Sequence, residues 1–291
     1  MNKKTKKLLT LTSLIVIACV FFVFFGFERS QNCIVTSHES IRSAKLTESL
    51  RIVLLSDLHD NELGELETEL IEQIRSADPD LIVTAGDMID RQTDDFSTVE
   101  ELYKKLLSIA PVVATAGNAE MENENLNRWE NILADTGVQY LEESSTDLVL
   151  KGQSIRVGGM YAYSFADDGS GEPDPKESDP NLSTFLNEFC DTDDFKIMVN
   201  HRPDTFLLSS DPDYWSVDLS LSGHYHGGQV ILPFLGGVWV PDQGWFPSHI
   251  HGKVELDNLT MVISSGLGSG EKQVPRFNNP REIMVVDCIP N

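Results

Sequence analysis

Five short segments carrying metal-binding side chains occur in order along this chain, and most of them follow a run of apolar residues. They are Asp57–His59, Gly86–Asp87, Gly117–Asn118, Asn200–His201 and Gly223–His226, and we call them the donor segments. Four of the five follow apolar, β-branched runs, which are typical of buried parallel strands. Open α/β sheets bind their ligands at the carboxyl ends of such strands. The pattern therefore predicts an α/β fold in which the donor segments meet at one edge.

Strands and helices alternate over the part of the chain that follows residue 50. Strands are predicted at 51–56, 80–85 and 111–116, and helices at 65–77, 96–109 and 126–133. This alternation favours parallel βαβ crossovers. After residue 137 the strands at 145–150 and 154–160 have no helix between them, and buried strands follow at 195–200 and 217–222. We therefore predict one α/β domain built on two stacked sheets.

The N-terminal region contains an uncharged apolar run at 8–27, which is long enough to cross roughly 30 Å of hydrocarbon as a helix. Lysines in the preceding segment predict a cytoplasmic N-terminus and an extracytoplasmic domain. A cleaved signal peptide is one alternative, but an Ala-x-Ala site is absent. Lipoprotein processing at Cys19 is another, although the run stays apolar beyond that residue. We predict a basic tip at 1–7, an uncleaved transmembrane anchor at 8–27, a stalk at 28–49 and the folded domain at 50–291.

The chain is strongly acidic, with a formal net charge of −24 at pH 7. Such a surface repels phosphate backbones, so we expect no nucleic-acid partner. It tolerates a cluster of divalent cations well. Of the four cysteines, Cys19 lies in the apolar run and the other three are widely spaced. That spacing indicates neither a disulfide framework nor a zinc knuckle.

The donor segments contain seven carboxylate, amide and imidazole groups that bind cations. These are Asp57, His59, Asp87, Asn118, His201, His224 and His226. The mixture suits Mn²⁺, Fe or Zn²⁺ and includes no thiolate that would favour softer metals. Seven donors are too many for one tetrahedral ion. They predict two divalent ions that share the Asp87 carboxylate, roughly 3.5–4 Å apart.

Together these motifs resemble those of the calcineurin-like metallophosphoesterases. The resemblance is carried by Ser56–His59, Gly86–Arg91, Gly117–Glu120, His201 and Gly223–His226. The stretch Gly223–Val230, with Gly266–Gly268 and Pro275–Phe277, is similar to a bacterial membrane-associated phosphodiesterase branch. The similarity covers roughly residues 50 to 287. It implies a four-layer α/β/β/α sandwich with a dinuclear metal centre, and therefore a metal-dependent phosphoric ester hydrolase.

The resemblance also implies roles for individual residues. One metal would be held by Asp57, His59, Asp87 and His226, and the other by Asp87, Asn118, His201 and His224. A hydroxide that bridges the two ions would attack phosphorus while the ions neutralise the phosphoryl oxygens. Asp90 and Arg91 would orient the ligand segments from behind.

The third donor segment departs from the family pattern, in which a histidine follows the Gly-Asn pair. Here Ala119 replaces the imidazole that protonates the leaving oxygen in that family, a contribution typically worth about 100- to 10,000-fold in rate. Three hypotheses stay open. In the first, the chain hydrolyses pyrophosphates or aryl phosphates, whose leaving groups need little protonation. In the second, His249 or His251 supplies the acid, although both are more simply explained as surface strand residues. In the third, the protein binds metal without turnover and serves in binding or sensing.

Substrate identity is only weakly specified by the sequence. Arg202 and Arg276 are candidates for phosphate contact because a guanidinium group matches phosphoryl oxygens, although each has the alternative of pairing with a carboxylate. The aromatic segment Trp239–Phe246 is most simply explained by core packing, with contact to the bilayer, an acyl chain or a nucleoside as the alternative. The anchor suggests a phosphoester substrate that is lipid-linked. We expect a monomer.

Overall fold

The structure is a computed structural model that describes residues 2–160, 174–177, 179–240, 243–270 and 274–291. The helices are α1 Lys3–Asn32, α2 Glu65–Ala77, α3 Ser97–Leu107, α4 Asn118–Met121, α5 Leu126–Thr136, α6 Pro180–Cys190 and α7 Asp204–Leu207. The strands are β1 Ile34–Ser43, β2 Leu50–Leu55, β3 Leu81–Ala85, β4 Val112–Thr115, β5 Gln139–Tyr140, β6 Ser144–Leu150, β7 Gln153–Met160, β8 Phe195–Asn200, β9 Leu219–Ser222, β10 Ile231–Leu232, β11 Gly236–Gly237, β12 Trp239–Val240, β13 Gly244–Trp245, β14 Gly252–Glu255, β15 Thr260–Ile263 and β16 Arg281–Pro290. Short 3-10 turns cover Pro175–Glu177 and His226–Gly228.

Two six-stranded sheets form the centre of the domain. Their strand orders are β1-β16-β2-β3-β4-β5 and β14-β15-β9-β8-β7-β6. Strands β2 to β5 run parallel in the first sheet, and β7, β8 and β9 run parallel in the second. The carboxyl ends of parallel neighbours lie at the same edge, so each sheet presents a row of strand ends. The predicted α/β class is confirmed.

The strands alternate their side chains between separate apolar cores. Val53 of β2 packs with helices α2, α3 and α5, whereas its neighbour Ile52 faces the second sheet. In the second sheet Ile197 faces the first sheet, and the adjacent Met198 packs against α6. This alternation follows from the two-residue period of a strand. Helices, two sheets and further helices therefore form the four-layer α/β/β/α sandwich that the sequence predicted.

The segment 28–49 is not the stalk that the sequence predicted. Helix α1 continues to Asn32, and Ile34–Ser43 forms β1, which pairs along its whole length with β16 at the edge of the first sheet. Only Ile34 and Ile41 of this strand reach the apolar cores. An edge strand with polar residues on its outer side has the composition of a linker. The folded domain therefore includes residues that precede position 50.

Helix α1 has the length and apolarity of a membrane-spanning helix or a signal sequence, and it is the only such helix in the described part of the chain. Its mean hydropathy over the most apolar window is 2.8, and that window is exposed. The last turns of α1 contact the domain. The N–H of Asn278 donates to the carbonyl of Gly26 at 3.0 Å, and the N–H of Asn279 donates to the Ser30 hydroxyl at 2.9 Å.

Candidate metal centre

The donor segments follow directly after strands in both sheets. Strands β2, β3 and β4 of the first sheet end at Leu55, Ala85 and Thr115, shortly before the first three segments. Strand β8 ends at Asn200 and β9 at Ser222, where the last two segments begin. All seven donor side chains are buried. The stacking of the sheets therefore brings residues from five strand ends into one region.

The donor atoms form two groups. In each group the candidate ligand atoms lie within 4.8 Å of one another, and the groups are Asp57, His59 and His226, and Asp87, His201 and His224. The Oδ2 atom of Asp87 lies 3.4 Å from Nε2 of His201 and 3.5 Å from Nε2 of His59. Asp87 therefore lies between the two groups, where a carboxylate could be shared by two metal ions.

Several buried polar atoms of this centre lack a hydrogen-bond partner among the described residues. They are both ring nitrogens of His59 and the amide oxygen of Asn118. A buried polar atom without a partner is costly, and a bound cation would satisfy these atoms. Carboxylate, amide and imidazole donors match Mn²⁺, Fe or Zn²⁺. The residues present therefore fit a pair of divalent cations.

Burial and charge act against each other in the centre. Burial opposes ionisation of Asp57, but His226 and His201 hold the pKa of Asp57 below its ordinary value. Burial likewise opposes ionisation of Asp87, whose pKa is lowered by His201 and His59. Burial disfavours the charged imidazole of His201, yet Asp87 raises the pKa of His201 to about 9. Burial lowers the pKa of His226 to about 3. Both carboxylates are thus ionised inside the fold, which favours cation binding.

The backbone of the centre is strained at most of its donors. Five of the seven have φ angles between 46° and 69°, and these are Asp57, His59, Asp87, His224 and His226. Non-glycine residues rarely adopt this left-handed region, and they do so mainly where the surrounding structure enforces it at functional sites. Here the N–H of Asp57 donates to Gly86 at 3.0 Å, and that of His59 donates to the Asp87 carbonyl at 2.9 Å. Hydrogen bonds between donor segments thus support the strained conformations.

Glu120 organises the backbone around Asp87, a role that the sequence reasoning missed. Its Oε2 accepts the N–H groups of Gly117 and Asp87, each at 2.8 Å. Its Oε1 accepts those of Met88 at 2.7 Å and Ile89 at 3.2 Å. Burial and Asp87 raise the pKa of Glu120, and the N–H groups of Gly117 and Ile89 oppose that rise. A buried carboxylate needs several donors, but neither the burial of Glu120 nor its partners could be read from the sequence.

The segment after β4 packs tightly onto the Asp87 carboxylate. The Ala119 N–H donates to Oδ1 of Asp87 at 2.7 Å. A Cβ atom at Gly117 would collide with the same carboxylate, so only glycine fits there. The side chain of Ala119 is buried and carries no titratable group. Position 119 therefore supports Asp87 through its backbone but cannot itself donate a proton from its side chain.

Asp90 and Arg91 occupy different environments. Asp90 helps line a cavity of about 320 Å³ beside His59, together with Asp60, Asn61 and Thr93. The side chain of Arg91 is half exposed, with its Nε 2.9 Å from a carboxylate oxygen of Glu122. Of this pair, Asp90 is therefore the residue that lies beside the donor groups.

The two arginines predicted to contact phosphate are instead buried and paired with the protein. Arg202 binds Asp204 through Nε at 2.9 Å and through a second nitrogen at 2.8 Å. Arg276 donates to the carbonyl of Gly268 at 2.9 Å and to three oxygens of Asn279 and Pro280. Burial lowers the pKa of Arg276 to about 10. These contacts favour a role in bracing neighbouring segments, and phosphate contact by either guanidinium group stays a prediction.

The two histidines proposed as replacement acids lie outside both donor groups. His249 is exposed. Nε2 of His251 lies 2.5 Å from Oε1 of Glu282, a buried carboxylate that also receives the Ser37 hydroxyl. An imidazole held by Glu282 is committed to a structural pair. The geometry therefore gives no support to His251 as the missing acid, and it does not bring His249 to the centre.

A four-layer sandwich with adjacent donor groups at its strand ends defines the class of metallophosphatase-like proteins. Residues 50–228 match the family described as Calcineurin-like phosphoesterase. The match covers more than half of the chain, so the chain belongs to this family. The resemblance inferred from the sequence motifs is confirmed.

Similar proteins come from several bacteria. The "Uncharacterized metallophosphoesterase YkuE" of Bacillus subtilis (strain 168) is 28% identical over 254 residues, which cover 84% of this chain and 82% of the relative. An uncharacterized metallophosphoesterase of Campylobacter jejuni is 27% identical and covers 94% of this chain and 68% of its own length. Among solved structures, a dimetal phosphatase from Danio rerio has a TM-score of 0.44 at 12% identity, covering 75% of this chain and 87% of that one.

Proposed function

We propose that this protein is a membrane-anchored phosphoesterase that works with two divalent metal ions. One ion is held by Asp57, His59, Asp87 and His226, and the other by Asp87, Asn118, His201 and His224. The observation that carries the proposal is the pair of buried donor groups with Asp87 between them. Family membership supports phosphoester hydrolysis as the reaction class.

The protein's own groups then have distinct tasks. When bound, the two ions would polarise a phosphoryl oxygen and lower the pKa of an attacking water. Asp87 places its Oδ2 between the imidazoles of His59 and His201. The ring of His201 is fixed because Nδ1 lies 2.7 Å from the Ala85 carbonyl, which leaves Nε2 facing Asp87. Burial of the donors keeps bulk water away from them.

The alanine at position 119 restricts the leaving group. Without an imidazole there, the departing oxygen must leave without a proton from that side chain. Substrates whose leaving groups are stable anions, such as pyrophosphates and aryl phosphates, meet this requirement. We therefore propose this substrate class first, and we place the phosphoester at the membrane because α1 would anchor the domain there with the N-terminus in the cytoplasm.

A second candidate is a metal-binding protein without turnover, which serves as a binding or sensing module. The observation that favours it is again Ala119, a buried methyl group at the position where the family resemblance implies a catalytic imidazole. The two candidates differ in turnover, and both require the same metal centre.

The two candidates are separated by assaying the full-length chain in detergent with Mn²⁺ on aryl and alkyl phosphodiesters. We expect the wild type to cleave the aryl ester and scarcely cleave the alkyl ester. Ala119→His should raise the alkyl rate by roughly 100-fold or more, because it restores an acid. Ala119→Gln is the matched control of similar size, whose amide can donate a hydrogen bond but cannot transfer a proton as a general acid, and it should give no gain.

Metal content and circular dichroism accompany each variant, because position 119 is buried and a misfolded protein would lose both signals. The sensing module would be supported if the wild type binds two ions but cleaves neither ester, while the Ala119→His variant cleaves one of them. Absence of turnover in every correctly folded, metal-loaded variant would contradict phosphoester hydrolysis.

A further inference from the structure

Large apolar side chains are exposed on two small hairpins that follow the last donor segment. The side chains of Phe234, Leu235, Trp239, Trp245 and Phe246 form what we call the hairpin surface, and their exposed fractions run from 45% for Trp239 to 105% for Phe234. The same chain buries its other two tryptophans, Trp129 and Trp215. Core packing, the more ordinary expectation from the sequence, is therefore wrong for Trp239 and Trp245.

The sequence of these hairpins is almost without charge. Between Val230 and Phe246 the only charged residue is Asp242, although 23% of the whole chain is charged. Exposed apolar surface of this kind marks a contact with a membrane or a protein partner. The composition therefore indicates that the hairpin surface contacts a membrane or another protein.

A continuous ladder of backbone hydrogen bonds joins the hairpin surface to Phe277. The Phe277 N–H donates to Gln229 at 3.1 Å, and the Ile231 N–H donates to Phe277 at 2.9 Å. The ladder continues from Val238 to Val230 and from Phe246 to Val238, each at 2.9 Å. The two hairpins and Phe277 thus form one connected unit.

Phe277 in turn packs against helix α1. Its ring lies edge-on to the rings of Phe22 and Phe27, with centroid distances of 5.4 and 5.2 Å. Both of these phenylalanines belong to the apolar run 8–27, and Phe22 lies roughly 7–8 Å along the helix from Phe27. The domain therefore contacts the apolar run itself. If α1 spans a membrane, Phe277 and the unit joined to it must lie at the depth of the bilayer surface.

We infer that the hairpin surface inserts into the interfacial layer of the same bilayer that α1 crosses. This inference rests on the proposed membrane anchor. Tryptophan and phenylalanine are well suited to that layer, and Trp is enriched there. The acidity of the chain disfavours attraction to anionic lipids, so the contact depends on apolar insertion and works on a zwitterionic bilayer.

The contact has a consequence for the metal centre. Asn279 donates its amide N–H to the carbonyl of His226 at 2.7 Å and to that of Gln229 at 3.3 Å. Its own backbone N–H is bound to Ser30 of α1. The backbone of one metal donor is thus tied both to the helix and to the base of the hairpins. The centre is held beside the lipid surface, where a phosphoester carried by a lipid would be presented.

Tryptophan quenching in vesicles tests this inference directly. The full-length chain is reconstituted into phosphatidylcholine that is brominated near the top of its acyl chains. The apolar run contains no tryptophan, so the anchor itself gives no signal. Because two of the four tryptophans lie on the hairpin surface, roughly half of the emission should be quenched. The double variant Trp239→Phe, Trp245→Phe should lose this quenching, and the control Trp215→Phe should keep it.

An alkaline carbonate wash of the same vesicles separates failure of the anchor from failure of the surface contact. A chain that is retained but not quenched would overturn the inference and leave the anchor in place. If its Trp239 and Trp245 emission is also shielded from an aqueous quencher, a second copy or another protein covers the surface. Release by carbonate would contradict the anchor and the inference together.

Discussion

Glu120 is the residue that fixes the backbone next to Asp87. Its two carboxylate oxygens accept four backbone N–H groups, and three of these belong to the segment 87–89. Asp87 has a φ of 52°, which costs energy unless its surroundings hold it. Glu120 therefore acts on the metal centre by positioning Asp87.

We expect Glu120→Gln to destabilise the domain by about 2–3 kcal/mol. The NH2 group of the new amide cannot accept hydrogen bonds, so some of the buried backbone N–H groups would lose their acceptor. Bound metal should fall with it. Urea unfolding and metal analysis of the full-length chain in detergent measure both effects. Glu122→Gln is the matched control at the surface and should change stability by less than about 0.5 kcal/mol. Equal stability and equal metal content in the two variants would refute this role.

At the residue scale, the grouping of six of the seven proposed donors could be predicted, because their segments follow strands and their side chains suit a cation. Glu120 could not be assigned a role, since its partners Asp87–Ile89 lie more than thirty positions earlier in the chain. For a related reason the sequence left open whether Arg202 and Arg276 contact phosphate or the protein. A guanidinium group matches a phosphate and a set of protein oxygens equally well, and only the fold decides between them.

The loop between β15 and β16 closes against the first donor segment. The Leu267 N–H donates to Ser56 at 2.9 Å, and Gly266 lies in close contact with Asp57. Glu282, at the start of β16, braces this loop by accepting the Ser265 N–H at 2.7 Å and by pairing with His251. The loop that supports Asp57 is therefore held by the buried Glu282 carboxylate and its partly exposed partner His251.

This pair makes a pH-dependent contribution to stability. Burial opposes the charge of Glu282, but His251 lowers the pKa of Glu282, so its contribution is present above the ordinary value of 4.5 and is lost as pH falls through the lowered value. Burial disfavours charged His251, but Glu282 raises its pKa, so that contribution is present below 6.5 and is lost as pH rises through the raised value. The pair is strongest between these limits.

We therefore expect His251→Gln to cost more stability near pH 6 than near pH 9, by about 1 kcal/mol or less because His251 is partly exposed to solvent. Urea unfolding at the two pH values measures the difference. His249→Gln is the control, since His249 is exposed and lies outside the pair. A cost for His251→Gln that is the same at both pH values would show that the charge of the pair contributes nothing.

At the element scale, the alternation of strands and helices predicted the core of the first sheet, and runs of buried strands after residue 137 predicted the second. Strand β1 was missed because only Ile34 and Ile41 enter the apolar cores, so its sequence resembles a linker. The contact between α1 and Phe277 could not be predicted from the sequence either, because it joins residues about 250 positions apart in the chain. Local patterns report which face of an element is apolar, and they do not report the partner that covers it.

The whole molecule combines an acidic chain, a long apolar helix and a buried candidate metal centre. A formal net charge of −24 would destabilise the compact state through self-repulsion, and bound cations would offset part of that charge. The ionised Asp57 and Asp87 concentrate negative charge inside the fold. Metal binding is thus linked to the stability of the domain as well as to its chemistry, and removal of the ions by a chelator should lower its thermal midpoint.

Metal stoichiometry tests the central claim most directly. The full-length chain is dialysed against Mn²⁺, freed of excess ion and measured for metal per chain, beside Asp87→Asn and the control Asp147→Asn, a surface carboxylate on β6 paired with Arg156. We expect two ions per chain in the wild type and in Asp147→Asn, and the loss of one or both in Asp87→Asn, because an amide cannot bridge two cations. One ion or none in the wild type, or two ions retained by Asp87→Asn, would contradict a dinuclear centre built on Asp87.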